Sequence, residues 1–317
     1  MIDRFFQNLE DFFDLLKQNP VSYLFFNRPE CVKITFPVIR KHKPKKLYLI
    51  ADGPRNSADE DLCIACRKYV ERNIDWKCEF IKIYSDHNLG LAKRTVSAID
   101  QIFKEEEDLI FLEDDNLVDP SFFTFCEDLL HRYKYDMNVG LIGGCNMHEN
   151  AVENNYPYTY LYSAKPSAWG FATWKRAWNH MDLSMKNWNN ENKTEFLKNW
   201  CYTNKHIKST KQVFDQHCMN TDPWAWSYAW TYASWAFNLL SIIPSKNLIS
   251  NVGFGPNATN TLAKYDDFVG YPPKRSSLNK LEHPPEIKRN LNYEKKCFNL
   301  EKRSFLTNFK NHISHIL

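Results

Sequence analysis

An α/β chain with a mainly parallel sheet flanked by helices is expected from three observations. Short apolar runs alternate with stretches of helical period through the first half of the 317 residues, which is the mark of βαβ units. The runs at 21–26, 47–51 and 109–112 are almost wholly apolar, as strands covered on both faces of a parallel sheet must be. Nine of the ten tryptophans fall between Trp169 and Trp235, whereas glycine is missing from 1–52 and again from 171–252. A regular first half is therefore followed by an aromatic-rich second half.

Taken in order, Phe5, Leu9, Phe12, Phe13 and Leu16 recur at helical spacing, so residues 1–19 form an amphipathic helix that needs a partner surface. The first strand, 21–26, leads into a helical stretch containing Pro37, and the second, 47–51, ends in Asp52-Gly53-Pro54. A helix at 59–72, a strand at 79–84, a helix at 91–104 and a strand at 109–112 continue the alternation. Asp119 then supplies an N-cap with Pro120 at the first helical position, and the helix runs to about Lys134 before a strand at 139–142. Beyond Tyr156 the texture becomes irregular. The chain divides into segments 1–19, 20–150, 151–262 and 263–317.

Composition closes off several function classes. With 41 Lys and Arg against 38 Asp and Glu, the net charge of +3 is too small for general nucleic-acid binding. Ten basic residues face four acidic ones from Tyr271 onward, so positive charge gathers in the 263–317 extension. There Phe305, Phe309, Ile313 and Ile316 recur at near-helical intervals among basic residues. That helical tail either rests on an anionic membrane face or docks on the body of the chain or on a second subunit. The nine cysteines form no disulfide framework, and the lone pair Cys63 and Cys66 lacks the second half of a zinc site. Glu10, Asp11 and Asp14 interrupt the N-terminal apolar residues, and no run approaches the roughly 20 residues that span a bilayer. The expected location is cytoplasmic, or peripheral on the cytosolic membrane face, with reduced thiols. A GxGxxG turn after the first strand and a GxxxxGK[ST] loop are both missing, which disfavours dinucleotide and P-loop folds.

Chemistry concentrates at Glu113-Asp114-Asp115-Asn116, where a buried strand ends in three adjacent carboxylates. Ligands of open α/β sheets bind at the carboxyl ends of the strands. Three such charges repel unless a cation offsets them, and a divalent ion that also grips a diphosphate is a natural occupant. The alternative is an acidic turn leading into the next helix.

The triplet resembles the acidic signature of GT-A glycosyltransferases, in the EDD form shared by the N-acetylglucosaminyltransferase I branch and related family-2-like bacterial sugar transferases. Phe26-Asn27-Arg28-Pro29 resembles their first nucleotide-contacting loop, and Asn88-Leu89-Gly90 with Lys93 and Arg94 resembles the NxG helix start that approaches the nucleotide sugar. Trp169-Gly170-Phe171-Ala172-Thr173-Trp174 and the later Asn251-Val252-Gly253-Phe254-Gly255 resemble further segments of the bacterial enzymes. The resemblance covers about residues 20–260 and implies a GT-A-like fold, with 20–150 as the donor half and 151–262 as the acceptor half. It further implies a divalent metal, Mn²⁺ or Mg²⁺, at Asp115, with Glu113 supporting the turn or binding through water. Asp114 and Asp52 would hold the base or ribose of a nucleotide-sugar donor, a UDP-sugar being favoured, and the acceptor would be a carbohydrate.

Each match also has plain chemistry. A helix start behind Asn88 and Gly90 offers backbone N–H groups to an anion, with Lys93 and Arg94 nearby; a surface turn would read the same. Aromatic faces bind sugar C–H faces, so Trp169 and Trp174 are candidate acceptor contacts, whereas Trp226 and Trp230 fall at helical spacing that favours packing. An inverting transfer needs a general base, and where the family places an acid within its W-D-x-x-W-like string this chain has Ser227. Asp222 is the substitute, with Asp215 behind it, and capping a helix is the competing role for Asp222. A retaining mechanism would need no such base. The rival functions are a non-catalytic carbohydrate-binding adaptor and a sugar-phosphate nucleotidyltransferase.

Overall fold

The computed structural model describes residues 18–220, 223, 225–253, 275–278 and 280–300. The helix expected at 1–19, apart from its last two residues, lies outside that set, as do Asp222 and the tail from 301 onward.

One mixed sheet organises the chain. Its strands are β1 (Val21–Phe25), β2 (Lys46–Ala51), β3 (Glu79–Tyr84), β4 (Asp108–Glu113), β6 (Val139–Gly143), β7 (Tyr160–Ser163), β8 (Phe171–Trp174) and β9 (Leu240–Pro244), while β5 (Asn116–Val118) and β10 (Ile249–Asn251) form a separate two-stranded ribbon. The eight strands lie in the order β3-β2-β1-β4-β8-β6-β9-β7. β3, β2, β1 and β4 are parallel, and β8 runs antiparallel between β4 and β6. β9 returns parallel to β6, and β7 closes the edge antiparallel to β9.

Flanking helices are α1 (Pro29–His42), α2 (Ser57–Arg72), α3 (Leu91–Ile102) and α4 (Ser121–Arg132), followed in the second half by α5 (Lys175–Trp178), α6 (Lys193–Lys198), α7 (Asn204–Met219) and α8 (Trp226–Ala236). Local chemistry sets their limits. Pro29 supplies the pre-set φ of a first helical turn, and the Asn56 side chain accepts from the Ala58 and Asp59 amides, which starts α2 two residues ahead of the expected position. Gly90, at φ 78°, turns the chain into α3, a conformation that costs glycine little. Asp119 accepts from the Ser121 amide at 3.0 Å, but Pro120 takes the N-cap position and α4 begins at Ser121, one residue later than the Asp-Pro pair predicts.

Strand period two explains the apolar runs. Val21, Tyr23, Phe25, Ile110 and Leu112 face α1, α2 and α4 in one core layer. Leu24, Leu109 and Phe111 face α3 and the tryptophans Trp178, Trp226 and Trp230 in the other. A third cluster, built on Trp188, Phe214, Tyr232 and Trp235, binds α7 and α8 together. Residues 291–300 are helical and bury Tyr293 and Cys297 against Ala151, Leu161 and Ile243. This part of the C-terminal extension therefore docks on the body. No disulfide joins any of the nine cysteines, and among the described residues no helix is long and apolar enough to cross a membrane.

Candidate active site

The carboxyl ends of β1, β2 and β4 open into a cleft of about 250 Å³, walled chiefly by Phe26, Arg28, Asp52, Arg94, Asp115 and Trp169. Its floor is the acidic turn. Asn116, itself buried, accepts from the Glu113 amide at 3.1 Å and donates to Asp115 Oδ1 at 2.8 Å, which fixes both the turn and the Asp115 carboxylate. The ribbon then clamps it: Asn251 stands opposite Asn116, and the Val252 amide donates to the Asp115 carbonyl at 2.9 Å. At Gly253 a Cβ would lie 2.6 Å from both Arg28 Nη1 and Asp115 Oδ2, so glycine is required for the ribbon to close over the acids.

Arg28 braces this turn. Its guanidinium donates to Asp114 and, at 3.1 Å, to Asp115 Oδ2. Three carboxylates against one guanidinium leave a charge of −2 when all are ionised. Burial, with the neighbouring carboxylates adding to it, pushes Glu113 upward. The same burial raises Asp114 against the pull of Arg28. An indole N–H from Trp226 reaches Glu113 and opposes its rise, so a tryptophan expected only to pack also touches the site. The turn thus carries more negative charge than its surroundings offset, and a divalent cation fits it electrostatically. Among the described residues no three potential ligands form a ready-made cage. Asp115 and Glu113 could supply only part of a coordination shell, the rest coming from substrate oxygens and water.

Several expected roles change in place. Asp114 is 3% exposed and its carboxylate is spent on Arg28 and on the Phe26 amide at 3.4 Å. It braces the β1 loop and is poorly placed to grip a ribose. Asp52 accepts from the amides of Gly53, Leu89 and Gly90 at 3.0–3.1 Å. Two of the backbone donors expected for an anion are therefore already used, and Asp52 holds the α3 start rather than presenting a free carboxylate. Asn88 likewise donates to the Gly53 carbonyl at 2.8 Å. Arg94 is 6% exposed, lines the cleft and has a buried Nε with no hydrogen-bond partner; burial lowers its pKa while Asp52 opposes. Lys93 is exposed and does not line the cleft. Asn27 turns away to Asp59 at 2.6 Å.

In the aromatic half, Trp169 lines the cleft and Trp174 does not. Trp174 points into the core from β8, 2% exposed, with its indole N–H donated to the Leu130 carbonyl at 3.1 Å. The expectation of a ligand contact there is corrected: strand alternation puts this ring among α4 side chains. Asp215 is also corrected as a reserve base. Burial pulls it up, but donors from Lys193 and Lys211 at 2.7 Å and from Trp188 at 3.0 Å prevail and hold it at about 2. A carboxylate so firmly ionised and so occupied is an anchor between α6 and α7. Ser227 sits half-buried in the first turn of α8, and the acids lining the cleft are Asp52, Glu113, Asp114 and Asp115.

Sequence reasoning missed Arg55 and Asp59. The Arg55 guanidinium lies 5.3 Å from the Phe26 ring centre and is paired with Asp59. The Arg-to-Asp spacing of four residues in 55–59 was the available signal.

No protein-family model matches the chain, and no curated protein matches it in sequence. Among solved structures, S. aureus TarS is similar at 12% identity and a TM-score of 0.35, over 52% of this chain and 30% of that one. The mannosyltransferase PcManGT from Pyrobaculum calidifontis, solved with GDP-Man and Mn²⁺, is similar at 10% identity and a TM-score of 0.34, over 62% of this chain and 51% of that one. The chain thus spans under a third of the first structure's length and about half of the second's.

Proposed function

We propose that this protein is a glycosyltransferase that binds a nucleoside-diphosphate sugar in the cleft and passes the sugar to a carbohydrate acceptor. The observation that carries the reading is the meeting, in one cleft, of an undercompensated carboxylate turn with Arg94, a buried cation lacking a hydrogen-bond partner at Nε. Anion and cation facing one cavity suit a metal-bound diphosphate, which presents both signs of charge.

Asp115, with Glu113 behind it, would hold a divalent ion, Mn²⁺ or Mg²⁺, which when bound offsets charge on the phosphate leaving group. Arg28 keeps the turn in shape and Arg94 adds positive charge over the diphosphate. Phe26, with Arg55 beside it, offers a flat surface to the base, and Trp169 offers an aromatic wall to a sugar. Asn88 and Asp52 position the α3 start. Asp222, the base proposed for an inverting transfer, lies outside the described residues.

A thermal-shift screen with UDP-, GDP-, CMP- and dTDP-sugars, with and without Mn²⁺, tests this reading, since a ligand that binds only the folded form raises its Tm. A UDP-sugar is the first donor to try. The expected result is a metal-dependent shift for one donor, and loss of metal-dependent donor hydrolysis and transfer in Asp115→Ala. No shift with any nucleotide, or full activity in Asp115→Ala, overturns it. Ser227 in place of an acid favours one second reading, a sugar-binding adaptor, for which donor binding without hydrolysis or transfer is the expected result.

A further inference from the structure

We propose that the outer faces of α7 and of the helical residues 291–300 together form a docking surface for an anionic lipid membrane. The inference is independent of the activity proposed above.

The two helices are fixed side by side. Phe298 stacks on the His206 ring at 4.6 Å and lies 6.1 Å from the Tyr202 ring. Glu294 is 6% exposed and accepts from Ser163 Oγ at 3.0 Å, the Ala164 amide at 2.7 Å, Arg289 Nε at 2.7 Å and the Tyr202 hydroxyl. Its neighbours Tyr293 and Cys297 face inward. What points outward is therefore held outward.

The outward residues have one sign of charge. Lys205, Lys208, Gln212, Gln216 and Met219 are exposed at steps of three and four along α7, so they form a single stripe. Lys295 and Lys296 are exposed on the second helix, together with Leu291. Neither helix exposes an acid. The single acid of α7, Asp215, is tied to Lys193 and Lys211, and the single acid of 291–300, Glu294, is buried against Arg289. Four lysines thus stand with no opposing carboxylate on their own elements.

Charge alone would suit any polyanion, and two apolar side chains decide between them. Met219 is 81% exposed and Leu291 46% exposed; helical spacing puts Met219 in line with Lys208 through Gln212 and Gln216, and Leu291 one turn before Lys295. A large apolar side chain in water gains nothing against a nucleic-acid backbone but gains burial in a lipid headgroup layer, where lysines also gain from anionic lipid. Past residue 300 the sequence has one acid, Glu301, and then Lys302, Arg303, Phe305, Phe309 and Lys310.

The test is sedimentation of the full chain with phosphatidylcholine vesicles, with and without phosphatidylglycerol, at low and at physiological salt. Binding is expected only with phosphatidylglycerol and is expected to weaken as salt rises. Changing Lys205, Lys208, Lys295 and Lys296 together to Glu should lower partitioning roughly a thousandfold, while thermal unfolding stays unchanged because none of the four has a structural partner described. Met219→Ser with Leu291→Ser should weaken vesicle binding and leave heparin binding as it was. The proposal is overturned by no vesicle binding, by equal binding to neutral vesicles, or by wild-type binding in the quadruple variant. Equal loss on vesicles and heparin in the quadruple variant, with no effect of the Met219 and Leu291 changes, would assign the face to a polyanion instead.

Discussion

At Asp59 one carboxylate ties two loops of the cleft together. It accepts from Asn27 Nδ2 at 2.6 Å on the β1 side, and from Arg55 Nε at 2.6 Å and Nη2 at 3.0 Å on the β2 side. Those bonds hold the Arg55 guanidinium beside the Phe26 ring. The bond from Arg55 leads in drawing the Asp59 pKa down to about 2; burial opposes it and Asn27 assists. Because the folded-state pKa is depressed, the stabilisation is present above the unfolded carboxylate range and disappears as pH falls toward 2. Arg55 is half exposed, so the increment is only about 1 kcal/mol. Asp59→Asn should therefore be less stable than the parent at pH 7, and the gap in urea midpoint should close on acidification. Asp59→Ala should weaken nucleoside-diphosphate binding by calorimetry about tenfold while sparing inorganic pyrophosphate, which has no base to stack. Equal loss for both ligands would show that the loops position the phosphates instead.

Among elements, the β5–β10 ribbon does the most for the site with the fewest residues. It sets Asn251 against Asn116 and brings Gly253 onto the Arg28–Asp115 pair. Arg28 can give way at its flexible end, but Asp115 Cβ, 2.7 Å from the added atom, cannot. Gly253→Ala should lower donor affinity at least tenfold and cost about 1–3 kcal/mol of overpacking, read as a rise in KM or Kd with Tm lowered by a few degrees. An unchanged donor affinity would remove the ribbon from the site. This ribbon also marks where sequence reasoning stops. The elements at 21–51, 59–72, 79–84, 91–112 and 119–142 are legible because their signals are local: two-sided apolar runs, Pro29 and Asp119 near helix starts, Gly90 before α3. Gly253 was singled out by sequence, but its reason, a close approach to residues 138 and more positions earlier, was not visible. Asp52 and Trp174 misled for the same cause. Both occupy the right loop or strand, and only the tertiary partners, the amides of Leu89 and Gly90 for one and the Leu130 carbonyl for the other, show that the polar atoms are already used.

Over the whole molecule, the second half closes the sheet and the C-terminal segment locks the second half. Sequence order could not foretell β8 between β4 and β6, since that pairing joins residue 111 to residue 171 through an antiparallel ladder. Nor could it foretell the lock. Arg289 donates to the carbonyls of Asn199 and Trp200, to the Tyr202 hydroxyl and to Glu294, and the Asn290 amide donates to the Tyr162 carbonyl at the β7 edge. One ion pair therefore joins the sheet edge, the α6–α7 connection and the last described helix. Removing Glu294 leaves Arg289, 19% exposed at its side chain, without its carboxylate, and it takes an acceptor from the Ser163 hydroxyl and the Ala164 amide. Loss of a buried partner of this kind costs about 3–5 kcal/mol, whereas an exposed pair such as Lys280–Glu282 is screened by water and contributes little to stability. Glu294→Ala should lower the urea midpoint by several times as much as Glu282→Ala. The donor thermal shift should survive in Glu294→Ala, because the cleft lies at the far side of the sheet order, at β1, β2 and β4. Equal, small effects of the two substitutions would mean that the C-terminal segment only rests on the body and does not lock it.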